Sequence, residues 1–383
     1  MTVPHPPPGP ARRRLALLGA AAGVALIAGF AIGSSGGGGS SRRSAVAPPP
    51  RAAVRRARQM PLQRQIGELL MISFRGPGVP GYVKRALRQG RAGGVILFRG
   101  NAGSAAEMRD VTNAVQRAGR GRVLVAADQE GGPVRILPWA APSAAQTAQA
   151  TPAQAAAQAK AAARDLALAG VNVTLAPVAD VASGGVMRGR AFPGGTAQVT
   201  AITRAAVGGY RGSKVAATLK HFPGLGEAGT NTDDGSVTIS SPRPALATRD
   251  LPPFAAGIKA GAPLVMASHA LFTGLDRRNI ASQSPAILTT LLRRRLGFRG
   301  VVVTDSMEAA AVLQRSSLEL GALRSVTAGA DLLLLTGAGS FPRVYKQLVA
   351  GARQSPRFRA RIAEAAARVI ALKRSLGLTG RRP

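Results

Sequence analysis

Three short runs near the C-terminal end decide how the rest of the chain is read: PLVMASH at residues 263–269, GVVVTD at 300–305 and DLLLLTG at 331–337. Each is apolar without alternation, the pattern of a strand buried on both faces, and such strands belong to parallel sheets. Working outward from them, the same kind of run recurs as VAATLKHF (215–222), VNVTLAPV (171–178), RVLVAA (122–127), GGVILF (93–98) and ELLMISF (68–74), which brings the count to eight. Helix-length stretches separate the runs, at 104–118, 152–168, 196–211, 288–296 and 316–328. Strands alternating with helices give a parallel sheet, and eight such units close into a barrel of ~250 residues or more. The expected fold class is therefore α/β, a (β/α)8 TIM-type barrel in a single domain over residues 59–383. An open doubly wound sheet is the alternative, but the Gly-rich turn of a dinucleotide site is missing after the first run.

The polar residues fall into a pattern that a barrel explains. The third run leads into Asp128-Gln129-Glu130-Gly131-Gly132, the fourth into Asp180, the fifth ends in Lys220-His221, the sixth in His269 and the seventh in Asp305. A parallel barrel opens the C-terminal ends of all its strands onto one face, so these residues would meet at one mouth. Nearness to water could by itself place two or three ionisable residues at strand ends. Five in register read as an active-site layout.

Composition narrows the chemistry. Among 383 residues, 51 are Lys or Arg and 17 are Asp or Glu, a formal net charge of +34. That charge attracts anionic partners, yet it is mostly Arg spread along the chain, without aromatic interleaving or a nucleic-acid module, so no specific nucleic-acid partner is expected. The absence of Cys removes disulfides, thiol chemistry, thiolate metal sites and the lipid-bearing Cys of a lipoprotein. Two His in the barrel region and scattered acids make no ligand set, so neither metal nor cofactor is expected.

The N-terminus is organised differently. A basic segment (1–14) precedes LALLGAAAGVALIAGFAIG (15–33), an uncharged run close to the ~20 residues that span hydrocarbon. It is longer than the ~7 to 15 residues of a signal-peptide core, so a signal anchor is expected, with a cleaved signal peptide as the alternative. Either places the barrel outside the cytoplasm, with a membrane as partner through this segment. Positive charge lies on both sides of the run, with Arg42, Arg43 and the Arg cluster of 51–58 following it. Residues 34–58, rich in Gly, Ser, Pro and Arg, read as a flexible linker.

DQEGG (128–132), KHFPG (220–224) and VVVTDSM (301–307), in that order on the third, fifth and seventh runs, resemble the N-terminal barrel of glycoside hydrolase family 3. The resemblance extends over about residues 65–378 and is narrower with the bacterial β-N-acetylhexosaminidase branch, since Ser306 follows Asp305 where the β-glucosidase branch usually has Trp. It implies retaining hydrolysis of terminal non-reducing β-N-acetylglucosaminide linkages through a covalent glycosyl-enzyme, on an N-acetylglucosamine-containing glycan such as a cell-wall fragment. Asp305 matches the family's nucleophile, a role compatible with its also capping a helix that begins at Ser306-Met307-Glu308. Asp128 resembles the carboxylate that grips sugar hydroxyls. Lys220 and His221 resemble the pair on the same sugar, Arg190 in GRAFPG the Arg beyond strand four, and Arg135 the substrate Arg after DQEGG. His269 reads either as a further substrate contact or as a histidine packed beneath the pocket, and a structural ion-pair network remains the alternative for the other cations.

One motif departs from the family. Where these hexosaminidases carry Asp-Ser-His, with His as acid/base, this chain reads KHFPGLGEAGTNTDDGS and places Asn231, Thr232 and Asp233. The His residues stand elsewhere, at positions 5, 221 and 269. Asp233 is the first substitute, followed by Asp234 and Glu227, because a carboxylic acid serves if its pKa is raised. If these acids are merely solvated, the protein is a catalytically weak carbohydrate-binding barrel; a β-glucosidase of the same family is the third reading.

Overall fold

The computed structural model describes residues 51–380, so the basic segment, the hydrophobic run and most of the linker lie outside the described residues. Eight parallel strands close into a barrel: β1 (Leu70–Ile72), β2 (Gly94–Leu97), β3 (Leu124–Ala127), β4 (Val173–Thr174), β5 (Ala216–Phe222), β6 (Leu264–Ala267), β7 (Val301–Ser306) and β8 (Leu332–Leu335). Each pairs with its neighbours in sequence, and β8 returns to β1 in the register Leu70↔Leu333. This is the TIM-type architecture.

Burial on both strand faces explains why the runs carry no polar alternation. Met71, Ile96, Leu124, Ala126, Val173, Met266 and Val303 fill the lumen. The residues between them, such as Leu70, Val95, Val125 and Val302, pack outward against the helices. Val369, Leu372 and Leu376 near the C-terminus join the lumen cluster from below. Helices Ala105–Ala118, Pro152–Leu168, Thr196–Gly209 and Leu318–Ala328 stand where the sequence places them, and Ala286–Arg295 winds as a π-helix. Ser104, Thr151 and Ser317 cap three of these, each accepting from a backbone N–H in the first turn.

Two boundaries differ from the sequence reading. β4 is reduced to Val173–Thr174, because Pro177 lacks the N–H that would continue the ladder; pairing resumes only at Val178 with Lys220. The linker expected over 34–58 ends earlier, since Arg51–Gln59 is helical. Its Ala53 and Ala57 are buried and the helix lies against Pro356–Ser375. Arg-rich composition disguised a helix whose apolar face is two alanines one turn apart. Among the described residues no helix is long and apolar enough to cross a membrane.

Candidate active site

The C-terminal ends of β3, β5 and β7 bring Asp128, Lys220, His221 and Asp305 to one end of the barrel. Beyond β3 the chain turns through a small hairpin of Gln129–Gly131 and Val134–Arg135. Gly131 makes that turn possible: its φ is +101°, and a Cβ there would fall 2.1 Å from the Ala144 carbonyl oxygen. The turn leaves Asp128 at the mouth and Glu130 almost wholly buried.

On β5, neighbouring residues Lys220 and His221 both face the site, although successive side chains in a regular strand point oppositely. The register with β6 slips between Leu219 and Phe222, which removes that constraint. Lys220 Nζ lies 2.7 Å from Asp128 Oδ1 and 2.6 Å from Glu130 Oε1. Arg190 grips Glu130 with two bonds, Nε to Oε2 at 3.0 Å and Nη2 to Oε1 at 2.6 Å. Burial acts to raise the Glu130 pKa, but Lys220 and Arg190 overcome it and hold the carboxyl at about 2. Burial likewise acts to lower Lys220, and Asp128 with Glu130 reverse it, so the ammonium stays charged.

His221 is held from behind by Asp180. The Asp180 carboxylate accepts from His221 Nδ1 at 2.8 Å and from the backbone N–H of His221 and Leu225, at 3.1 Å and 2.6 Å to Oδ1. This leaves Nε2 facing Asp305 Oδ2, 4.0 Å away. Asp305 ends β7, where the pairing with β8 slips between Val303 and Ser306. Its side chain is 21% exposed, and Oδ1 accepts from Ser306 N at 2.8 Å. Burial would raise its pKa, but His221, His269, that N–H and Lys220 together hold it below the usual carboxylate range.

The loop after β5 comes back to the same place. The Asp233 and Thr232 carbonyls accept from Ala310 N and Ala311 N, both at 3.1 Å, pinning the loop to the segment just beyond Asp305. Burial first, then the negative charges of Asp305 and Asp234, push the Asp233 carboxyl above its ordinary value, while Asn231 and His221 oppose them. Two carboxyls at one mouth are thereby pushed in opposite directions, one toward anion and one toward acid, as nucleophile and proton donor require. Glu227 is placed otherwise: it bonds Arg249 at 2.8 Å and Ser241 at 2.7 Å, and Arg249 holds its pKa down.

Not every residue singled out in the sequence joins this cluster. His269 is completely buried, with Nδ1 2.7 Å from Ser282 Oγ and Nε2 2.9 Å from the Ser306 carbonyl oxygen. Both ring nitrogens are occupied beneath the mouth, so it braces the strand end that carries Asp305. Arg135 gives its guanidinium to the carbonyls of Pro138 and Ala140 in its own loop. Conversely, Glu130 was not singled out, although it stands two residues beyond Asp128. Among the described residues no group of three His, Asp or Glu is arranged to hold a metal ion.

Comparison with known proteins adds to this geometry. Residues 61–372 match the model of the glycosyl hydrolase family 3 N terminal domain. A β-hexosaminidase from Xanthomonas oryzae is 34% identical over 278 residues, covering 70% of this chain and 83% of its own. The crystal structure of a β-N-acetylhexosaminidase from Beutenbergia cavernae superposes with a TM-score of 0.75 at 33% identity, over 82% of this chain and 99% of that one. A family 3 β-N-acetylglucosaminidase from Paenibacillus sp. gives a TM-score of 0.78 at 29% identity over 83% of this chain, which spans 63% of that longer protein.

Proposed function

The chain belongs to glycoside hydrolase family 3, and we propose that it hydrolyses terminal non-reducing β-N-acetylglucosaminide linkages with retention of configuration. The observation that carries this reading is the set of carboxylates at the strand ends: Asp305 at the end of β7, held below its ordinary pKa, and Asp233, pushed above its own, on a loop whose backbone is tied to the segment just beyond Asp305. Asp305 attacks the anomeric carbon and forms a glycosyl ester. Asp233 gives its proton to the departing oxygen, then takes one from the water that cleaves the ester. Asp128 accepts from hydroxyls of the bound sugar, with Lys220 fixing its orientation and His221 beside it. Asp128 and Glu130 keep Lys220 charged, Arg190 holds Glu130 in place, and His269 positions the backbone at Ser306. Arg135 would contact substrate only by releasing its own loop carbonyls.

The test is turnover of an aryl N-acetylglucosaminide and an aryl glucoside by the same preparation, with Asp305→Asn as control. The expected outcome is release from the N-acetylglucosaminide, reduced at least ~1000-fold by Asp305→Asn. Trapping with a slow 2-fluoro sugar followed by mass spectrometry should place the label on Asp305. An active Asp305→Asn enzyme, or a label on another residue, would remove the nucleophile assignment.

The hydrophobic run at 15–33 supports an extracytoplasmic location, with the barrel tethered to or released from a membrane. Recovery of the native protein wholly from the cytosolic fraction would contradict that placement.

A further inference from the structure

At the opposite end of the barrel from Asp305, where the strands begin, a cavity of about 390 Å³ opens between the segments that enter β1, β2 and β3. Arg56, Arg64, Arg88, Arg120, Arg122 and Arg374 line it. We infer that this cavity is an anion-binding site that takes a phosphate-type group, separate from the sugar site and independent of how that site is read.

Three observations carry the inference. First, the arginines there are not neutralised by any of the described residues. Lys373, also in the lining, is bonded to Glu68. Among the described residues none of the six arginines has a carboxylate partner. Second, a donor is left over. Arg122 Nε is buried without an acceptor, at a place where the backbone of Gly380 lies so close that a Cβ would sit 1.9 Å from that nitrogen. An unpaired buried donor is costly, and an anion accepting from that guanidinium would relieve the cost. Third, the like charges act on one another. Burial together with Arg56, Arg64 and Arg120 pushes the Arg122 pKa down, and Glu68 only partly opposes them.

The choice of phosphate follows from donor geometry. Guanidinium groups present planar forks that meet two oxygens at once, and several converging forks match a tetrahedral oxyanion better than a planar carboxylate. The volume suits a small headgroup or a diphosphate rather than a single ion. The pocket is also bounded by Arg51–Gln59, the first helix after the residues that follow the hydrophobic run, so a lipid headgroup and a soluble phosphate are both reasonable sources of the same chemistry.

The test is calorimetric titration of the full-length protein at low salt with inorganic pyrophosphate and, separately, with glycerophosphoglycerol, the soluble headgroup of phosphatidylglycerol. One saturable site per chain is expected, weakening as salt rises and losing at least ~10-fold in affinity in Arg64→Glu/Arg88→Glu. Both positions are exposed, so the double variant should fold, and an unchanged circular dichroism spectrum and urea midpoint report that it has. Tighter binding of glycerophosphoglycerol assigns the site to a lipid headgroup, and tighter binding of pyrophosphate assigns it to soluble phosphate; either supports the site. The absence of saturable binding to both probes, or equal affinity in wild type and double variant, overturns it.

Discussion

In the proposed mechanism Asp233 takes the acid/base role that a His fills in the family's Asp-Ser-His loop. Its neighbours Asn231 and Thr232 leave no imidazole in the loop, and the compensation is electrostatic: burial and the Asp305 charge make this carboxyl hold its proton longer. With Asp305 shifted down and Asp233 shifted up, kcat/KM should rise as Asp305 ionises and fall as Asp233 ionises. Asp233→Asn should slow a substrate with a poor leaving alcohol by ~10²–10⁴-fold and flatten the alkaline side of the profile. A profile with its alkaline limb intact in Asp233→Asn would assign the proton to another group. The principal charges were legible because strand ends collect at one rim. The Glu130 and Asp180 contacts were not, since they depend on partners some 40 to 90 residues away: Arg190 and Lys220 for one, His221 and Leu225 for the other.

Among the elements, β8 is the one whose start was misread as simply apolar. Asp331, completely buried, accepts from Val302 N at 3.0 Å and from Arg293, Arg361 and Arg368. It ties the π-helix, the C-terminal helix and two strands together below the lumen. Removing one member of such a cluster leaves buried charge without compensation, so Asp331→Ala should cost ~3–5 kcal/mol by denaturant titration. Burial acts to raise its pKa, but the three arginines hold the carboxyl below its ordinary value. Its stabilising contribution is therefore complete above the unfolded pKa of ~3.9 and disappears as pH falls through the lower folded value. Asp331→Ala should accordingly narrow the difference in stability between neutral and acid solution. The strands were readable from sequence because burial on two faces leaves a one-dimensional signature. A buried ion cluster leaves none, because its members come from four separate elements.

For the molecule as a whole, the barrel does not begin where composition changes. Arg51–Gln59 reads as linker, yet it covers part of Pro356–Ser375 through Ala53 and Ala57. Their small size sets how closely the two helices approach. Ala57→Leu should overpack that contact and cost ~1–3 kcal/mol, whereas Ala52→Leu, on the exposed side of the same helix, should stay within ~0.5 kcal/mol; urea midpoints distinguish them. Equal midpoints for the two variants would mean that the helix does not belong to the folded unit.

Because the backbone at Thr232 and Asp233 is stitched to Ala310 and Ala311, the proposed proton donor and nucleophile ride on the same piece of scaffold. Their spacing is inherited from the resting protein rather than assembled when substrate arrives. Such a pairing asks for no closure of this loop before bond cleavage, so the chemical step, read in single turnover, should be indifferent to solvent viscosity.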